Sequence, residues 1–252
     1  MSNKTLANFA SATTTGQTLW SKMPKANAEL FALTYGSLVT EIIRDLGEDN
    51  TAEINAQLDK IGYSIGVRCV DEYLARLDAA LPSNFNMGTS GSASASHVNH
   101  HGKMDIDDLN TIGNMDSGSA HHSSSTSFGA LPACSNLRDT AESIAKIGFK
   151  MFLGVSCDVA NYSADSRSFS LYLHDDPLAT FVELPEASSS DVERIRYSNV
   201  YCGVIRGALE QVNLKVECTY VRDILRGDEA NEIRVELKEV LTDGAGEDYK
   251  EE

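Results

Sequence analysis

Four helical patterns, a short alternating run near residue 170 and a C-terminal hairpin pattern predict a fold of helices packed with a small antiparallel sheet. The first helical pattern begins at Lys25. Phe31, Tyr35, Leu38 and Ile42 recur three and four apart, Leu30 and Leu33 widen the stripe, and Gly47 stops it. The second opens on Asn50 and Glu53, which have capping-box spacing, and buries Ile54, Leu58, Ile61 and Ile65. Gly62 and Gly66 stand four apart on this helix, each costing about 1 kcal/mol relative to Ala. Close packing or a cavity is the reason to expect them there. The pattern continues through Val70, Tyr73 and Leu77 to Pro82.

The third helix spans Cys134 to Leu153. Ser135 or Asn136 caps it, and Asp139 and Glu142 place negative charge near its N-terminus, where the helix dipole favours it. Leu137, Ile144 and Met151 make its apolar stripe, and Ala141, Ala145 and Gly148 make a small-residue face beside it. That face reads in two ways: close approach of a neighbouring helix, or a groove for a slender apolar ligand. Cys134 bears on the choice, being a thiol at the mouth of the face and at a helix N-terminus, where thiolates are stabilised. The fourth helix runs from about Val192 to Val212, capped by Ser190 or Asp191. Gly203 and Gly207 stand four apart on it, beside Cys202 and Ala208. Three helices thus carry small residues, which sets a shared internal channel evenly against tight packing.

Strands are expected where Phe169, Leu171 and Leu173 alternate, and again over Thr180 to Leu184 after a turn at Asp175-Asp176-Pro177. A hairpin follows, with Leu214, Val216, Cys218 and Tyr220 on one strand and Ile233, Val235 and Leu237 on the other; Arg226-Gly227-Asp228 starts the connection.

Three stretches fall outside this pattern. Residues 1–24 are rich in Ser, Thr, Ala and Asn and read as an N-terminal tail, although Leu19 and Trp20 invite docking. Residues 83–130 are dominated by Ser, Gly, Asn and His, a low-complexity insertion expected to be disordered apart from an apolar island at Met104 to Ile112. Residues 243–252 form an acidic C-terminal tail. One domain, 25–242, is expected around the insertion. Five of the six histidines lie in the insertion with no cysteine at ligand spacing, so no metal is expected.

The net charge of −16 argues against nucleic acid and against direct docking on anionic lipid. No run approaches the roughly 18 apolar residues of a spanning helix, no signal sequence opens the chain, and the five cysteines include no C-x-x-C pair. A reduced, intracellular, soluble protein is expected. Phosphate-loop and nucleophile-elbow motifs are missing, and His174 is the only histidine outside the insertion, so a Cys-His hydrolase ranks low.

Five runs carry a family resemblance: Glu29 to Val39, Gln57 to Arg68, Phe149 to Gly154, Phe181 to Pro185 and Tyr197 to Glu210. They resemble the Bet-three-type subunits of the TRAPP (transport protein particle) family. The likeness implies an α+β fold, a helical bundle on one face of a small antiparallel sheet with an internal apolar channel, forming homodimers or heterodimers with other TRAPP subunits. It implies a covalently bound palmitate on Cys134, lying in the channel marked by Ala141, Ala145 and Gly148. Family members usually carry a basic residue before that cysteine, and this chain has Ala133. The family acts in vesicle tethering between endoplasmic reticulum and Golgi and in nucleotide exchange on a Rab-one-type GTPase. That implies a subunit that is no enzyme on its own, cytoplasmic and peripheral at cis-Golgi and endoplasmic reticulum, touching membrane only through partners. The GTPase-contacting tail maps to Gly246, Glu247 and Asp248. The other readings are a free-standing acyl-binding lipid carrier and a cysteine acyltransferase or thioesterase.

Overall fold

The helices of the molecule pack on the inner face of a four-stranded antiparallel sheet in an α+β arrangement. The structure is a computed structural model that describes residues 3–80, 136–183 and 195–241. Elements follow in the order α1 (Asn3–Lys22), α2 (Ala28–Leu46), α3 (Thr51–Ala80) and α4 (Leu137–Glu142). A π-helical segment (Ser143–Gly148) and α5 (Phe149–Leu153) continue α4. Then come β1 (Asp158–Ala160), β2 (Ser168–Leu173), α6 (Val200–Glu210), β3 (Leu214–Arg222), a 3₁₀ turn (Ile224–Arg226) and β4 (Asn231–Val240). The sheet order is β1-β2-β4-β3, with β4 central between β2 (Ser168 opposite Glu236) and β3 (Leu214 opposite Val240).

The core joins sheet and helices through Phe169, Leu171, Ile233 and Val235 from the strands and Ile54, Leu58, Ile205 and Leu209 from α3 and α6. Helices α3 and α6 meet through the glycines. A Cβ built on Gly62 would stand 2.0 Å from the Val200 carbonyl oxygen, and one on Gly66 2.1 Å from that of Val204. In return, a Cβ on Gly203 would lie 1.9 Å from the Asp59 carbonyl oxygen and one on Gly207 2.3 Å from that of Tyr63. Two of the three small-residue faces therefore exist for backbone-to-backbone packing.

Four expectations are corrected. Residues 3–22 are a helix, not a tail: Leu19 is buried, Gly16 lets the backbone of α1 rest on Lys146, and Trp20 packs against Gly154. Tertiary burial here overrides a Ser/Thr-rich composition. Only part of the stripe expected to bury α2 does so: Tyr35 is buried and Ile42 half-buried against the core, but its other members face outward. Leu30, Phe31, Leu33 and Leu38 are exposed, while Ala32, Tyr35 and Val39 face the core. No strand follows the Asp175-Asp176-Pro177 turn as far as residue 183. The Asp176 side chain accepts from the Leu178 N–H and its carbonyl from the Ala179 N–H, coiling residues 177–181 into turns instead. Helix α6 starts at Val200, because residues 195–199 spend their polar groups on other elements. The short strand β1 (Asp158–Ala160) is an addition.

Residues 83–130, the tail 243–252, Leu184 and the Ser190/Asp191 cap lie outside the described residues. No described helix is long and apolar enough to cross a membrane.

Candidate functional site

Asn136 caps α4, its side chain accepting from the Asp139 N–H at 2.9 Å. Its extended backbone starts the helix two residues after Cys134. From there the chain runs α-helical, π-helical and α-helical again until Gly154, at φ 76, ends it. The wide π turn lets the Phe149 N–H reach back five residues to the Ile144 carbonyl. π turns often mark functional sites. The sequence carries no signal for one here.

Of the predicted site residues, Ala141, Ala145 and Gly148 are brought onto this helix, while Cys134, Gly246, Glu247 and Asp248 lie outside the described residues. Ala141 and Ala145 are wholly buried in the core cluster. Gly148 differs from every glycine that packs helix on helix. It is half-buried, and a Cβ there would meet only the Ser143 carbonyl oxygen, at an ordinary 3.8 Å. A methyl group at Gly148 would meet no clash, whereas the two alanines already sit inside the core.

A polar cluster holds the other side of the helix to β1. Lys146 donates to the Cys157 carbonyl at 2.6 Å and to Asp158 Oδ1 at 3.0 Å, and His174 approaches the second Asp158 oxygen at 3.3 Å. The Lys146 bond, above all, holds the Asp158 carboxyl below its ordinary pKa. Glu142 is buried, takes a long 3.3 Å bond from the Tyr162 hydroxyl on Oε1, and leaves Oε2 without a hydrogen-bond partner. Burial pushes its carboxyl up, against the pull of Tyr162, Lys146 and Arg138. The Arg138 guanidinium lies 3.8 Å over the Tyr162 ring.

Sequence reasoning missed a second buried polar centre. Asp176 accepts from Ser198 Oγ at 2.5 Å, Tyr201 Oη at 2.9 Å, Asn231 Nδ2 at 2.9 Å and the Leu178 N–H at 3.0 Å. It ties the turn after β2 to the start of α6 and of β4. Burial still pushes the Asp176 carboxyl above its ordinary value, the four donors opposing. A cleft between α3, α6 and β3 is also lined with charge, but Arg206 pairs with Asp59 at 2.5 Å and Lys238 with Glu217 at 2.7 Å. Burial raises the thiols of Cys69, Cys157, Cys202 and Cys218. Among the described residues no group of three or more His, Cys, Asp or Glu side chains is placed to hold a metal ion.

Glycine-locked helices on an antiparallel sheet, with polar groups spent on fastening elements together, define an α+β protein with an uncharged helical face turned to solvent. The match to the model of the "Transport protein particle (TRAPP) component" family over residues 31–236 is decisive, and the chain belongs to that family. It is 36% identical to the transport protein particle subunit bet3 of Schizosaccharomyces pombe, over 90% of this chain and 92% of that one. It is also 36% identical to trafficking protein particle complex subunit 3 of Dictyostelium discoideum, with the same coverage. The crystal structure of a trafficking protein particle complex subunit 3 from Naegleria fowleri, covalently bound to palmitic acid, superposes with a TM-score of 0.60. That chain is 39% identical, and the match covers 86% of this chain and 98% of that one.

Proposed function

We propose that this protein is a core scaffold subunit of a transport-particle complex that tethers vesicles between endoplasmic reticulum and Golgi, and that it joins its neighbours through α2. The exposed face of α2 carries this reading. Leu30, Phe31, Leu33 and Leu38 are between 39% and 66% exposed. The hydroxyls interleaved with them turn back onto the helix: Thr34 donates to the Leu30 carbonyl, Ser37 to Leu33 and Thr40 to Gly36. No charged residue interrupts the run from Leu30 to Thr40. In a chain of net charge −16, such a face is where a second subunit of the same fold, another copy or a sibling, approaches without repulsion. Tagged wild-type chain recovered from its own cells should bring identified sibling subunits of the particle, and Leu33→Glu should lose them. Wild-type chain recovered without siblings, exchanging lipid reversibly, would favour the free-standing lipid carrier.

Cys134 carries a palmitoyl thioester in this reading, with Ala141 and Ala145 along its path and Gly148 giving it room. Two observations support the assignment: the palmitic acid bound to the Naegleria fowleri relative, and the burial that makes the four described thiols poor acyl acceptors. An acyl chain buried in its own protein does not anchor a membrane, so peripheral location at cis-Golgi and endoplasmic reticulum comes from partners. The subunit is not an enzyme alone. Within the assembly, Gly246, Glu247 and Asp248 reach the nucleotide site of a Rab-one-type GTPase, where a carboxylate competes with phosphate for the lysine, backbone N–H groups and Mg²⁺. Truncation after Leu241, or Glu247→Ala in the assembled complex, should slow nucleotide release; unchanged rates would leave only the scaffold role.

A further inference from the structure

Residues 195–199, just before α6, are fastened to four other parts of the fold. The Ile195 carbonyl accepts from the Arg226 guanidinium, and the Arg196 N–H donates to Asn55 Oδ1 of α3 at 2.7 Å. The Tyr197 carbonyl accepts from the Tyr35 hydroxyl of α2 at 2.5 Å, Ser198 Oγ donates to Asp176, and Asn199 Nδ2 donates to the Asn55 carbonyl at 2.8 Å. Tyr197 is thus held from both sides along the chain.

Helix α2 rests on that residue. The Tyr35 and Tyr197 rings meet edge to face, 5.1 Å apart at 86°, and a Cβ on Gly36 would come within 3.3 Å of the Tyr197 hydroxyl. Tyr35 is buried at the edge of the uncharged apolar face, one turn from Phe31 and Leu38, so the seat of Tyr35 fixes how that face is rotated on the core and how far it stands from it. Alternate partners of a buried hydroxyl are few, because leaving one unbonded is costly.

We infer that the Asp176–Ser198–Tyr197 fastening is the seat that sets the docking face of α2, making Tyr35, Ser198 and Asp176 positioning residues for subunit assembly. This rests on the reading that the α2 face receives another subunit. The consequence is a coupling: loosening the seat weakens assembly without touching any residue of the interface.

The test uses the full chain and measures its association with a second copy by sedimentation, together with deuterium uptake over residues 28–46, at a temperature far below unfolding. Tyr35→Phe keeps the ring contact and removes the bond to the Tyr197 carbonyl; Ser198→Ala removes one bond to Asp176. Each should weaken association roughly tenfold and raise uptake in α2 while uptake in the β4 core stays at the wild-type level. Leu33→Glu is the control for the face itself. If Leu33→Glu abolishes association but Tyr35→Phe and Ser198→Ala leave the affinity and α2 uptake of wild type, the seat is only structural and the inference fails. If Leu33→Glu has no effect, the face reading fails first.

Discussion

Gly203 of α6 lies against the backbone of Asp59 in α3 so closely that a single added methyl would stand 1.9 Å from the Asp59 carbonyl oxygen. No rotamer change relieves a clash with backbone, so the two helices would have to part. Gly148 makes the opposite case, with a helical φ of −59 and only an ordinary 3.8 Å neighbour for a Cβ.

Alanine at these two positions should therefore move stability in opposite directions. Gly203→Ala should cost ~2 kcal/mol or more through overpacking. Gly148→Ala should gain ~0.5–1 kcal/mol, the ordinary benefit of replacing glycine inside a helix. Urea denaturation of both variants beside wild type checks the pair. Equal losses would mean that Gly148 is packed like the others.

Glu142 gives a pH prediction with a definite sign. Its folded carboxyl sits above the ordinary carboxylate value because it is buried, so the folded state holds its proton more tightly than the unfolded state. Stability from this group is present below the unfolded pKa, about 4.3, and is lost as pH rises through the raised folded value. Glu142→Gln keeps the acceptor for Tyr162 and removes the ionisation. Wild type and variant should be close in stability at acid pH, and the variant should pull ahead as pH rises toward neutrality. A difference that stays constant between pH 4 and 8 would show that the carboxyl is not perturbed.

The acyl assignment is checked by mass. Native full chain should carry a hydroxylamine-sensitive addition that is missing from Cys134→Ser. Leucine at position 148 fills the space proposed for the acyl chain, where a Cβ meets no clash, and should reduce that addition severalfold while the protein stays folded. Undiminished acylation of Gly148→Leu would route the chain elsewhere.

The mix of helices and strands was legible because periodicity of 3.6 and of 2 survives in single stretches: Ile54 and Leu58 bury as their spacing requires, and so do Phe169, Leu171 and Leu173, although Ile65, expected on the same seam as Ile54, is 43% exposed. The direction of α2 was not legible in the same way. Its apolar residues surround most of the helix, and periodicity alone picked a stripe in which Tyr35 and Ile42 turn to the core while Leu30, Phe31, Leu33 and Leu38 face solvent. Apolar residues on every side are themselves the signal of a helix covered on both faces. Helix α1 was hidden because its order comes from burying Leu19 and from Gly16 and Trp20 meeting residues 146–154, contacts no local pattern encodes. The glycine pairs were visible as pairs, but only their mutual facing decides between channel and close packing. The seat at Tyr197 was unreadable, since Tyr35 and Tyr197 are 162 positions apart.

The central claim is that α2 presents a face for another subunit, and the solution mass of the full chain tests it most directly. At micromolar concentration and physiological salt, wild type should sediment at twice its own 27.3 kDa, and Leu33→Glu at the single-chain mass with an unchanged fold. A Leu33→Glu protein that still sediments as a pair, or a wild type that stays at the single-chain mass and does not associate with sibling subunits either, would contradict the account.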